Sequence, residues 1–168
     1  MNQCKRIFII GHSGAGKGVL AQGVAEKLGW QFIDMDFSLA PSIGRDMAEI
    51  IGKQGEDSFI HCLSEILSYQ IQKDNIVVTT DDSIVCHEKN RQILSSEFTV
   101  YLKVSTTVQL ERMSRNRPLL PAPDYKAFLD KLHHERDDLY DQVACFSVNS
   151  DDNDLEKHVL EVAKAIGK

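Results

Sequence analysis

Residues 11–18 read GHSGAGKG, between an apolar run, IFII at 7–10, and a segment that places Leu20, Val24 and Leu28 at helical spacing before Gly29 stops it. Strand, glycine turn and helix in that order make an anion trap. The glycines let the backbone curl so that several N–H groups converge, and the positive end of the following helix points at the same spot. Gly11, Gly14 and Gly16 supply the turn, and Lys17 can reach β- and γ-phosphates and offset charge that shifts during transfer. A ligand-free glycine linker is the competing reading, and the strand and helix on either side weigh against it. The last letter departs from GxxxxGK[ST], whose hydroxyl ligates Mg²⁺; here Gly18 stands, able to contribute only its N–H. Phosphate oxygens, water and outer carboxylates can hold the metal instead. Asp34, aided by Asp81, is expected to do so; Asp81 and Asp82 as simple turn caps are the alternative.

Outward from the loop, short β-rich runs recur at 7–10, 31–33, 75–80, 98–104 and 145–148, with helix-like segments between them. This alternation predicts an α/β fold with a five-stranded parallel sheet flanked by helices. The spacing predicts helices over 17–28, over 55–72 with Ile60, Leu63, Leu67 and Ile71 on one stripe, and over 125–142 with Phe128, Leu132, Leu139 and Val143 on another. Residues 112–124, RMSRNRPLLPAPD, carry three prolines and three arginines and read as a loop. Arg112, Arg115 and Arg117 there suit a mobile anion clamp. Arg136 falls between Leu132 and Leu139 on the apolar stripe, where an unpaired guanidinium is costly, so something anionic should meet it. An internal carboxylate such as Asp36, or a side chain snorkelling to water, would also answer that need.

The totals bound the possibilities. At 168 residues, 18.9 kDa and 42% apolar residues, the chain suits one compact domain, 1–168. A net charge of −6 and a pI near 5.5 disfavour nucleic acid and anionic membrane as partners. The start, MNQCKRIFII, carries no cleavable signal, and no apolar run is long enough to span a bilayer, so a cytoplasmic location is expected. Cys4, Cys62, Cys86 and Cys145 lie apart without a CxxC pair, which argues against a disulfide framework or a zinc site. His133 and His134 are neighbours on a helix and point in different directions, which disfavours a metal shared between them.

IFIIGHSGAGK at the start, FIDMD at 32–36, GEDSF at 55–59, RPLL at 117–120 and HERDDLYDQVA at 134–144 resemble, in this order, the shikimate kinases. The resemblance covers nearly the whole chain and implies a three-layer α/β/α P-loop NTPase fold of the nucleoside-monophosphate-kinase kind. It implies an acceptor-binding segment over about 34–65 and a lid over about 112–124. The implied activity is an ATP-dependent kinase that moves the γ-phosphate to a hydroxyl of shikimate or a related small metabolite, with Mg²⁺ and as a monomer. Carried over by position, Gly14, Ala15, Gly16, Lys17, Gly18 and Val19 continue the nucleotide loop begun at Gly11. Lys17 contacts phosphate, and Asp34 sits in the outer shell of the metal. Asp36 holds the acceptor's hydroxyls, Arg117 meets the transferring group, Arg112 stacks on adenine, and Arg136 holds the acceptor's carboxylate.

Besides Gly18, the chain departs from the family at the acceptor. Ile60 replaces a carboxylate-binding arginine, and Leu63 replaces its companion glutamate. Asp81, Asp82 and Ser83 replace three glycines beside the acceptor, putting Asp82 on the substrate wall. Losing one charge-assisted contact costs about 1.5 to 3 kcal/mol, so a neutral polyol or an amine-bearing acceptor suits these carboxylates better than an anion. A nucleotide-binding module with diverged activity and a regulatory role is the second reading that Gly18 suggests.

Overall fold

The computed structural model describes the backbone of residues 4–36, 55–116 and 122–168, with side chains over 4–36, 62–112 and 126–168. Arg117, the side chains of Ile60 and Arg115, and most of the expected acceptor segment lie outside the described residues.

The elements run β1 (Arg6–Ile10), α1 (Lys17–Leu28), β2 (Gln31–Met35), α2 (Gly55–Gln70), β3 (Ile76–Thr80), a 3-10 turn (Ile84–Cys86), α3 (Glu88–Ser95), β4 (Phe98–Lys103), α4 (Thr106–Asn116), α5 (Ala122–Val143), β5 (Phe146–Asn149) and α6 (Leu155–Ala165). The five strands form one parallel sheet in the order β2-β3-β1-β4-β5. β1 lies at its centre, so the alternating residues of RIFII are buried on both faces, and a continuous apolar run results. Ile7 and Ile9 pack on one face with Leu20, Ala21 and Val24 of α1 and Val162 of α6. Phe8 and Ile10 pack on the other with Leu63 and Leu67 of α2, Leu94 of α3 and Tyr140 of α5. Helices thus cover both faces of the sheet, giving the predicted three layers.

α1 stops where the sequence expects. Gly29 takes the left-handed conformation (φ 69°), and the N–H groups of Gly29 and Trp30 bond back to Glu26 O (3.3 Å) and Ala25 O (2.8 Å). α1 lies close to α6: a Cβ on Gly23 would come 2.8 Å from Val159 Cγ2.

Two expectations need correction. The segment 112–124 is not all loop, since α4 runs through Arg112 to Asn116 and α5 opens at Ala122. Pro123 falls in the first turn of a helix, where its missing N–H has no partner to lose. The buried face of α5 is also rotated from the expected one. Val143 is buried and Leu139 packs on the core as expected, but Phe128 is 51% exposed, and Leu129 and Tyr140 are buried instead. Among the described residues, no helix is long and apolar enough to cross a membrane, and all four cysteines are free thiols.

Candidate active site

β1 has β3 on one side and β4 on the other, and its carboxyl end opens straight into the glycine loop. Ligands bind at such strand ends in open parallel sheets. Gly11 is fixed by close approach: at its φ of 148°, a Cβ would lie 2.6 Å from Leu102 O of β4. Gly16 (φ 95°) caps α1 without a side chain, which leaves the first amides of the helix facing the loop. Lys17, the first residue of α1, is only 3% exposed. Its Nζ donates to Gly11 O (2.8 Å) and His12 O (3.0 Å) and lies 3.6 Å from Asp36 Oδ2. The loop's own carbonyls and one carboxylate thus surround this buried ammonium. A Cβ on Gly18 would meet nothing within 4 Å, so the missing hydroxyl was not excluded by lack of room.

The ends of β2 and β3 carry the acidic residues Asp34, Asp36, Asp81 and Asp82. Asp34 is exposed, and its Oδ1 accepts from Thr79 Oγ1 (2.9 Å) and from the N–H of Asp36 (2.8 Å). These bonds hold the turn that carries Asp36 inward. Asp81 is buried and spends Oδ1 on the N–H (3.0 Å) and Oγ (2.6 Å) of Ser83, which is the turn-capping alternative. Burial, reinforced by the Asp82 charge next door, pushes the Asp81 carboxyl up to about 6. Asp82 moves the other way: burial alone would raise it, but the Lys17 and Arg136 charges overcome this and lower it. Arg136 Nη1 donates to Asp82 Oδ2 at 3.0 Å, while the buried Arg136 Nε has no hydrogen-bond partner among the described residues. Tyr140 OH donates to Asp82 O (2.6 Å) and holds this wall against α5. The anion that Arg136 required is thus Asp82.

On the opposite side of the loop, Arg112 reaches from α4 to Gly14 O (3.1 Å), Ala15 O (3.2 Å), Ser150 O (2.6 Å) and Asn153 Oδ1 (2.6 Å). It ties the loop after β1 to the loop after β5. Between them lies a cavity of about 230 Å³ lined by Ala15, Gly16, Val19, Arg112, Asn153 and Leu155, among others. The sequence reading missed Asn153, Leu155 and Ser150 here. The only available signal was that their loop follows the last strand, which the topology brings beside the phosphate loop.

The strand order, with a glycine loop leaving the central strand and a lysine at its end, defines the P-loop kinase class. The shikimate kinase family model matches residues 13–167. A shikimate kinase of Xanthomonas euvesicatoria pv. vesicatoria is 34% identical over 154 residues, 90% of this chain and 86% of that protein. One from Legionella pneumophila is 35% identical over 150 residues, with 88% and 86% covered. The solved structure of a shikimate kinase from Acinetobacter baumannii in complex with shikimate matches with a TM-score of 0.81 at 27% identity, covering 97% of this chain and 93% of that one. This chain belongs to the shikimate kinase family, and with it to the ATP-dependent small-molecule kinases.

Proposed function

We propose that the chain, acting as a single monomeric cytoplasmic unit, moves the γ-phosphate of ATP to a hydroxyl of shikimate or a close relative. The observation that carries this reading is the 3.6 Å approach of Lys17 Nζ to Asp36 Oδ2. It sets a phosphate-binding ammonium beside a carboxylate suited to an alcohol, so the two substrates would meet in line at one point. Positioning and electrostatics supply most of phosphoryl transfer. Asp36 accepts the hydrogen bond of the acceptor hydroxyl and takes its proton as the new P–O bond forms and the bond to ADP breaks. Lys17 follows the charge that moves to the β-phosphate. The loop amides of 14–19 hold the phosphates, and the cavity beside Val19 and Asn153 has the position and apolar lining for adenine. Arg112 borders that cavity, Arg117 supplies a further cation to the transferring group, and Arg136 Nε offers a donor to the acceptor.

Mg²⁺ fits what is present: Asp34 is an exposed carboxylate, oriented by Thr79, that offers oxygen to a hard ion which keeps several waters. The ion would neutralise charge across the β- and γ-phosphates. The acceptor segment over about 34–65 and the lid over about 112–124 complete this assignment. The Asp82–Arg136 pair favours a second reading of the acceptor, in which Asp82 stands where a substrate carboxylate would bind and the true substrate is a neutral polyol or an amino alcohol. Neither the structure nor the relatives support a module without activity.

The test is ADP release by the purified chain with ATP, Mg²⁺ and, in turn, shikimate, polyols and amino alcohols, with Lys17→Ala as the blank. Shikimate-dependent turnover above the blank is expected. Turnover with another acceptor alone selects the second reading, and no acceptor dependence overturns both.

A further inference from the structure

Behind the phosphate loop lies a cluster that the kinase reading does not use. His12 from the loop and His133 and Asp137 from α5 bring one ligand atom each to within 4.8 Å of one another. The i, i+4 spacing puts His133 and Asp137 on one face of the helix. His12 Nε2 lies 2.5 Å from Asp137 Oδ1, and His133 Nδ1 lies 3.0 Å from Asp137 Oδ2. The two imidazoles stack with centroids 3.8 Å apart.

Hydrogen-bond bookkeeping shows what this arrangement lacks. Gln109 Nε2 donates to Ser13 O at 2.7 Å, which turns Gln109 Oε1 toward His133 Nε2 at 2.8 Å. An amide oxygen only accepts, so His133 Nε2 carries a hydrogen and, in the neutral ring, Nδ1 is a bare lone pair. That lone pair faces a carboxylate. A cation between the two atoms, a proton or a metal ion, satisfies both at 3.0 Å.

We propose that His12, His133 and Asp137 bind a divalent ion of the zinc class, at a site separate from the Mg²⁺ of the nucleotide. Two imidazoles and one carboxylate are a donor set for Zn²⁺ and not for Mg²⁺, which prefers oxygen. Gln109 orients His133 from behind, and Tyr101 OH donates to Asp137 Oδ1 at 3.2 Å, so two of the three ligands have the outer partners that metal sites use, while the buried Nδ1 of His12 has none among the described residues. Asp137 is 40% exposed, which gives an entry path and a place for a water ligand. Tetrahedral binding needs donors about 3.3 Å apart, so the Asp137 oxygens would draw back from the two nitrogens by less than about 1 Å and the two stacked rings would splay to aim their in-plane lone pairs at the ion. The ion would join the second residue of the phosphate loop, whose carbonyl holds Lys17, to the helix that carries Arg136.

Calorimetric titration of the chelator-treated full chain with Zn²⁺ should show one saturable site that excess Mg²⁺ leaves in place. His133→Asn and Asp137→Asn should weaken it more than about tenfold, and Gln109→Ala about tenfold. Ring-nitrogen NMR of the unsubstituted chain checks this without relying on variants that fold: Zn²⁺ should move His12 Nε2 and His133 Nδ1 and leave His87 and His134 unmoved. Absence of saturable heat, heat that persists in both variants while the His12 and His133 nitrogens stay still, or a His133 doubly protonated and indifferent to Zn²⁺ would each overturn the proposal.

Discussion

Around the phosphate loop, the contacts that matter belong to the backbone: amides of α1, carbonyls of Gly11 and His12 on Lys17, and carbonyls of Gly14 and Ala15 on Arg112. Across the cleft, at the Asp81–Ser83 wall, they belong to side chains: Asp81 on Ser83, and Asp82 on Arg136. The difference explains where the family pattern is kept and where it is lost. A cradle of N–H groups survives the change to Gly18, because every residue except proline brings an amide. A wall of side chains is rewritten by each substitution, and its charge changes with it. On the proposed assignment, the nucleotide end would keep its mechanism through such changes, while the acceptor end would set what is phosphorylated.

The contrast can be broken most severely at Lys17, whose side-chain ammonium sits at the end of the loop. Lys17→Ala should lower kcat on the order of 10³-fold, with a smaller effect on the KM for the acceptor, as steady-state ADP release will show. Next comes Asp82→Gly, which frees Arg136 for a substrate carboxylate. The KM for shikimate should fall about tenfold, as expected for gaining a charge-assisted contact, and an unchanged KM would show that the pair opens without cost in the parent chain. Gly18→Ser, for which there is room, should raise kcat only a few-fold and lower the Mg²⁺ concentration at half-maximal rate; an unchanged Mg²⁺ dependence would show that the metal is already adequately held.

The smallest effect is on stability. Asp81 has its pKa raised from 3.8 to about 6 in the folded chain, so the fold binds this proton more tightly than the unfolded chain does. Its contribution is fully present below about pH 4 and is lost as pH rises through about 6. Asp81→Asn keeps an oxygen for Ser83 and should raise Tm by a few degrees near neutral pH, with the gain disappearing by about pH 4 in thermal melts. A gain independent of pH would assign it to something other than the charge.

What the sequence allowed to be read follows the same division. β1, the loop and α1 were legible because glycine at fixed spacing and an apolar strand buried on both faces leave few alternatives. The face of α5 was not. Phe128 and Leu129 are adjacent, so their stripes differ by about 100° of rotation, and apolar letters alone could not choose between them. Polar demands decide it: His133, Arg136 and Tyr140 share the face of Leu129, and each has its partner on the loop, on the acceptor wall or on α4. The need of Arg136 for an anion was legible; that Asp82 would meet it was not, because the pairing depends on how β3 ends relative to α5. The clustering of His12 with His133 and Asp137 was likewise invisible, since residues from opposite halves of the chain meet only once the sheet is ordered.

Gly23 permits the last helix to lie directly on the first, with Val159 where a larger side chain would stand. The far end of the polypeptide is therefore packed against the helix that Lys17 opens. A ligand that quiets α1 should slow amide exchange along 155–165, where nothing touches phosphate, and a tag fused after Lys168 would report on occupancy from a distance.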